Sequence, residues 1–135
     1  WGEKEKLEKL ILDLELEGKA FLMGAVSNIQ EEYLKADIYA MTSKFECFPM
    51  VLLEAKECGL PVVTFDCKSG PRDIVKDNID GFLVEPENIE LFSAKLLELI
   101  ENKEKLIEFG KAAKENIKEF ELEKIIEKWK KLLDQ

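Results

Sequence analysis

Four short apolar runs alternate with helix-like segments along this chain: "AFLMG" at 20–24, "DIYAMTS" at 37–43, "PVVTFD" at 61–66 and "GFLVE" at 81–85. Their apolar residues are consecutive rather than alternate. A strand of that kind must be covered on both faces, as in a parallel sheet whose crossovers are helices. The intervening segments fit that demand. Leu7, Leu10, Ile11 and Leu14 follow the helical i, i+3, i+4, i+7 rule and predict a helix over 4–16 that Gly18 stops. Asn28 can cap a short helix through Lys35, and Pro49 can open one over 49–58 that ends at Gly59. "SGPRDIV" opens a brief helix, and from Ile89 onward three helices are expected over 88–101, 103–118 and 121–133. The expected fold class is α/β, a Rossmann-like parallel sheet with helices on both faces.

Composition narrows the chemistry. With 135 residues the chain fits one domain. Its net charge of −9 repels phosphate backbones and anionic headgroups, which argues against nucleic acid as a partner and against direct membrane adsorption. Histidine is absent, which removes the commonest general base and metal ligand. Cys47, Cys58 and Cys67 form no close pair, so they are expected to be free thiols in a reducing, cytoplasmic setting. Cys58 is expected in the core and Cys67 exposed at a strand end. There is no Asp-x-Asp near a strand end, so no metal and no cofactor is indicated. No signal peptide is visible, and no apolar run is long enough to span a bilayer. The chain opens at Trp1-Gly2, directly on a helix, which is unusual for an α/β unit and suggests a piece of a longer protein.

The stretch "KFECFPMVLLEAKECGLPVV" at 44–63 carries the strongest functional signal. Ligands of open α/β sheets bind at the carboxyl ends of strands. Glu46 lies on such a loop and Glu54 in the helix that follows. Val51, Leu52, Ala55 and Cys58 form that helix's sheet-facing arc. Its N-terminus offers N–H groups at about residues 50–52 and a positive dipole, which together hold an anion. An anion site between two carboxylates suits a phosphate flanked by two hydroxylated rings, as in a nucleoside diphosphate sugar. The simpler reading makes Glu46 a solvated loop residue and Glu54 an edge residue of a surface helix.

This stretch resembles the Glu–seven residues–Glu motif of retaining glycosyltransferases of the GT-B fold. "FLMGAVSNIQEEYLKADIYAMTSKFE", "FDCKSGPRDIVKDNIDGFLVEPENIE" and the helical tail are similar to that family in order and spacing, so nearly the whole chain matches its C-terminal, donor-binding domain. "GPRDIV" resembles the version found in bacterial hexosyl- and N-acetylhexosaminyltransferases of polysaccharide and lipopolysaccharide synthesis. The resemblance implies a role for each matching residue. Glu46 would be the catalytic-site residue that holds donor-sugar hydroxyls, and Glu54 would grip the ribose diol. The N–H groups of Met50, Val51 and Leu52 would meet sugar hydroxyls and the diphosphate. The loop around Met23 and Gly24, through Val26, would contact the base. Gly2 would be the second glycine of a Gly-x-Gly turn. The implied partners are a nucleotide-sugar donor, with UDP the expected nucleotide, a glycan or lipid-linked acceptor, and an N-terminal acceptor domain. That domain and the first strand, with the Arg and Lys that neutralise the leaving diphosphate, lie outside this sequence. On this reading residues 1–135 would be inactive alone, and the full-length enzyme could work at the inner face of the membrane.

The sequence departs from the family pattern at Cys47 and Pro49, where glycine is commoner, and at Asp73, where glutamate is usual. Arg72 is expected to be solvated or to pair on its helix. The stripe Ile125, Ile126, Trp129, Leu132 and Leu133 is expected to pack in a core, or, by the resemblance, to reach towards the other domain. Two rival functions fit worse. A receiver-like binding module wants an acidic cluster on its first strand and a late lysine. A nucleotide-sugar epimerase wants histidine.

Overall fold

The computed structural model describes residues 3–134. Three strands, β1 (Tyr39–Met41), β2 (Val62–Phe65) and β3 (Gly81–Val84), form an open sheet in the order β1-β2-β3. All neighbours are parallel, with Tyr39 opposite Val62 and Val62 opposite Gly81. The helices are α1 (Lys4–Asp13), α2 (Ile29–Lys35), α3 (Met50–Glu57), α4 (Pro71–Ile74), α5 (Ile89–Glu101), α6 (Lys103–Asn116) and α7 (Leu122–Leu133), with a 3-10 turn at Ile117–Phe120 before the last.

The strands are apolar on consecutive residues because both faces are covered. On one face Val63, Phe65, Phe82 and Val84 pack with Phe92 and Leu99 of α5 and Phe109 of α6. On the other, Met41 and Val62 pack with Leu52 of α3, Ile74 of α4 and Val75. Successive residues of β2 thus serve opposite layers, as strand geometry requires. The expected fold class is the one observed.

One expected strand is absent. Residues 20–24 pair with no strand among the described residues, and Phe21 and Met23 are exposed. An apolar run becomes a strand only when a neighbour satisfies its backbone groups, and β1 ends the sheet on its outer side. Helix α1 stops at Asp13, short of the predicted 16, and buries no residue, so its leucine stripe stands open. Helix α7 also buries none, and Trp129 is exposed, so the expected core packing of the 125–133 stripe is not made among the described residues. Among the described residues no helix is long and apolar enough to cross a membrane.

The sequence gives no warning of a buried ion pair. Lys56 and Asp80 are both fully buried. The Lys56 ammonium donates to Asp80 Oδ2 at 2.9 Å and to the Ile74 carbonyl at 2.5 Å. Asp80 also accepts from the Lys76 N–H at 2.9 Å and from Asn116 Nδ2 at 2.8 Å. This network ties α3, the 74–80 connection and α6 into one unit.

Candidate functional site

The loops that leave the carboxyl ends of the strands build the site. Residues 42–49 run from β1 to α3 and carry Glu46, which is half-buried. Residues 66–70, after β2, lie against them. Ser69 Oγ donates to the Glu46 carbonyl at 2.6 Å. Gly70 adopts φ 92°, and a Cβ there would stand 2.6 Å from Pro49 Cδ and 2.8 Å from the Cys47 carbonyl oxygen. Only glycine permits that approach. The clasped loops border a cavity of about 410 Å³ lined by Phe45, Glu46, Cys47, Lys68 and Ser69. A Lys44–Glu87 ion pair links the β1 loop to the loop after β3.

Helix α3 begins beside this cavity. Pro49 is its N-cap and brings no N–H. The Met50 and Val51 N–H groups have no hydrogen-bond partner among the described residues. The Leu52 N–H differs from the expectation: it donates to the Pro49 carbonyl at 3.0 Å, a tightened first turn, so the free donors are two rather than three. The Leu52 side chain is in the core, Met50 is exposed and Val51 is half-buried.

Glu54 is exposed one turn further on and lines a second cavity, of about 210 Å³, with Ile29, Gln30 and Tyr33 of α2 and Glu57 and Cys58. The Tyr33 hydroxyl donates to Glu54 Oε2 at 3.1 Å. Burial, and then the hydrogen bond to Glu54, push the Tyr33 phenol well above its ordinary range. Burial also raises the Tyr39 phenol, helped by the charges of both Glu54 and Glu46. Both carboxylates therefore act on one tyrosine at the start of β1.

The other expected residues fall elsewhere. Met23 and Gly24 line a separate cavity of about 800 Å³ with Leu7, Phe21 and Leu22. Gly2 lies outside the described residues. Arg72 is exposed, as expected, and pairs through two hydrogen bonds of 2.9 and 2.7 Å with Asp66, just after β2, rather than with a residue of its own helix. Cys67 is buried, not exposed, with its thiol 3.8 Å from the Ser69 carbonyl oxygen. Cys58 is only half-buried. Sequence reasoning passed over Tyr33, Gln30, Lys68 and Ser69. Ser69 and Lys68 could have been found, since they sit on the loop beyond a strand's carboxyl end, where ligands bind.

Residues 1–116 match the family model described as "Glycosyl transferases group 1". The chain belongs to that family. It is 39% identical over 132 residues to the amylovoran biosynthesis glycosyltransferase AmsD of Erwinia amylovora, covering 98% of this chain and 37% of that protein. It is 38% identical to a poly(ribitol-phosphate) alpha-N-acetylglucosaminyltransferase of Staphylococcus aureus, covering 97% of this chain and 27% of that one. Among solved structures, a mutant of S. aureus TarM in complex with fondaparinux, alpha-GlcNAc-glycerol and UDP superposes with a TM-score of 0.90 at 37% identity, over 98% of this chain and 27% of TarM. Anabaena HepE in complex with UDP superposes with a TM-score of 0.86 at 27% identity, over 99% of this chain and 38% of HepE. The chain thus spans between about a quarter and two fifths of these relatives. The sheet and its helices are those of GT-B C-terminal domains.

Proposed function

We propose that this chain is the donor-binding domain of a retaining GT-B glycosyltransferase. It would transfer a hexose or N-acetylhexosamine from a UDP-linked donor to a glycan or glycolipid hydroxyl in surface-polysaccharide synthesis. The observation that carries this reading is the α3 N-terminus: N–H groups at Met50 and Val51 that have no partner among the described residues, with Glu46 before them in the chain and Glu54 after them. Family membership, relatives named for amylovoran biosynthesis and for N-acetylglucosaminyl transfer to poly(ribitol-phosphate), and similar structures in complex with UDP support it. The Met50 and Val51 N–H groups and the helix dipole would stabilise negative charge growing on the leaving diphosphate. Glu46 would hold donor-sugar hydroxyls while the anomeric carbon becomes oxocarbenium-like. Glu54 would accept from the ribose diol, and the 23–26 loop would meet the base. An N-terminal domain would supply the acceptor site and further cations, working on the cytoplasmic side at the inner face of the membrane.

The test separates sugar from nucleotide. Glu46→Ala is expected to weaken UDP-glucose or UDP-N-acetylglucosamine binding about tenfold, the size of a hydrogen bond to a charged group. Binding of UDP itself should hardly change. Calorimetry with both ligands decides it, and equal losses would take Glu46 away from the sugar.

A further inference from the structure

The Glu54 carboxylate sits on an exposed helix face, where a glutamate side chain is free to rotate. Fixing such a side chain on a ligand costs up to about 2 kcal/mol of rotamer entropy. Here that freedom is already restricted. Tyr33, on α2, is 6% exposed, and its hydroxyl donates to Glu54 Oε2 from 21 residues away in sequence. Its ring packs with Ala55 and Leu60 and meets Tyr39 edge-on, with centroids 5.7 Å apart and planes at 77°. The phenol is thus held by the core on one side and aimed at a carboxylate on the other. Its raised pKa keeps it a proton donor throughout the neutral range. One hydrogen bond to Oε2 leaves Oε1, and a second lone pair on Oε2, able to accept from a ligand, and Glu54 is among the residues that line the cavity between α2 and α3.

We infer that Tyr33 is a positioning residue for nucleotide recognition: it pre-sets the Glu54 carboxylate so that the free oxygen meets the ribose diol. This rests on the assignment of Glu54 to the ribose, and the experiment keeps the two apart. The probes are UDP and 2′,3′-dideoxyuridine diphosphate, titrated by calorimetry into the intact protein that carries this chain. The readout is the ratio of their affinities within each variant. General loosening, or a partly unfolded sample, moves both affinities together and leaves the ratio unchanged.

In the parent protein UDP should bind at least tenfold more tightly than the dideoxy analogue, the size of hydrogen bonds to a charged acceptor. Tyr33→Phe keeps the ring, its packing and its contact with Tyr39, and removes only the hydroxyl. It should cut that preference by about three- to tenfold, the size of one hydrogen bond, with little change for the analogue. Glu54→Gln should bring the ratio close to one, and adding Tyr33→Phe to it should do nothing more. If Glu54→Gln lowers the ratio and Tyr33→Phe does not, the positioning role falls and the ribose assignment stands. If Glu54→Gln leaves the ratio intact, the ribose assignment itself falls. If the two changes simply add, Tyr33 acts through some group other than Glu54.

Discussion

Replacing Asp80 with alanine is expected to destabilise the fold by about 3–5 kcal/mol, the cost of leaving a buried charge without its partner. The Lys56 ammonium is fully buried and would keep only the Ile74 carbonyl as an acceptor. The Lys76 N–H and the Asn116 amide would lose their acceptor as well. Lys56→Met with Asp80→Ala removes both charges without enlarging either buried side chain. That double variant should recover much of the loss, since apolar replacement of a buried pair is often close to neutral. It should stay below the parent, because Lys76 N–H and Asn116 still lack an acceptor, at about 1–3 kcal/mol for each group left unpaired. Urea unfolding followed by circular dichroism measures all three proteins. If Asp80→Ala costs under a kilocalorie, the pair is hydrated in solution. Raising salt should change the loss caused by Asp80→Ala little, since the pair lies out of reach of mobile ions.

That pair also marks the limit of what the sequence discloses. Periodic patterns place α5 at Ile89–Glu101 against an expected 88–101, and α3 at Met50–Glu57 against 49–58. The consecutive apolar residues of "PVVTFD" foretell a strand covered on both faces, and both layers are present. These features are local, because residues a turn or a step apart decide them. Nothing in the sequence singles out Lys56, because its partner lies 24 residues on, beyond any periodic window. Tyr33 is passed over for the same reason, since nothing near it in sequence announces Glu54. Residues 20–24 fail in the opposite direction. Their apolar pattern is correct for a strand, but a strand needs a paired neighbour, and pattern supplies none. Glu46 and Glu54 were legible as candidates because both flank one helix start. The Leu52 N–H was not, since whether a first turn tightens onto Pro49 depends on backbone angles rather than residue type.

Gly70→Ala should damage the site more than its size suggests. Gly70 holds φ 92° and ψ −64°, where an L side chain is strained at about 1–3 kcal/mol. Its Cβ would also overlap Pro49 Cδ and the Cys47 carbonyl oxygen, at 2.6 and 2.8 Å. Pro49 is held by its ring and is itself buried, so neither contact can yield by a side-chain rotation. The loop must move, and it carries Glu46 on one side of the overlap and the Met50 and Val51 N–H groups on the other. A displacement of about 1 Å in positioning groups can cost on the order of a hundredfold in turnover. Transfer by the intact enzyme should therefore fall about a hundredfold, while the sheet, packed through β2 and β3 well inside this rim, still unfolds cooperatively. Ser69→Ala serves as the comparison. It removes the 2.6 Å bond to the Glu46 carbonyl but inserts nothing between the loops, so it should cost only about three- to tenfold, the size of one hydrogen bond. Steady-state kinetics with a UDP-sugar, beside thermal melts of both variants, make the comparison. Equal losses in the two variants would mean that the loops are held by the hydroxyl rather than by the close approach at Gly70. Full activity in Gly70→Ala would mean that the 45–49 loop moves freely and that its geometry does not set the rate.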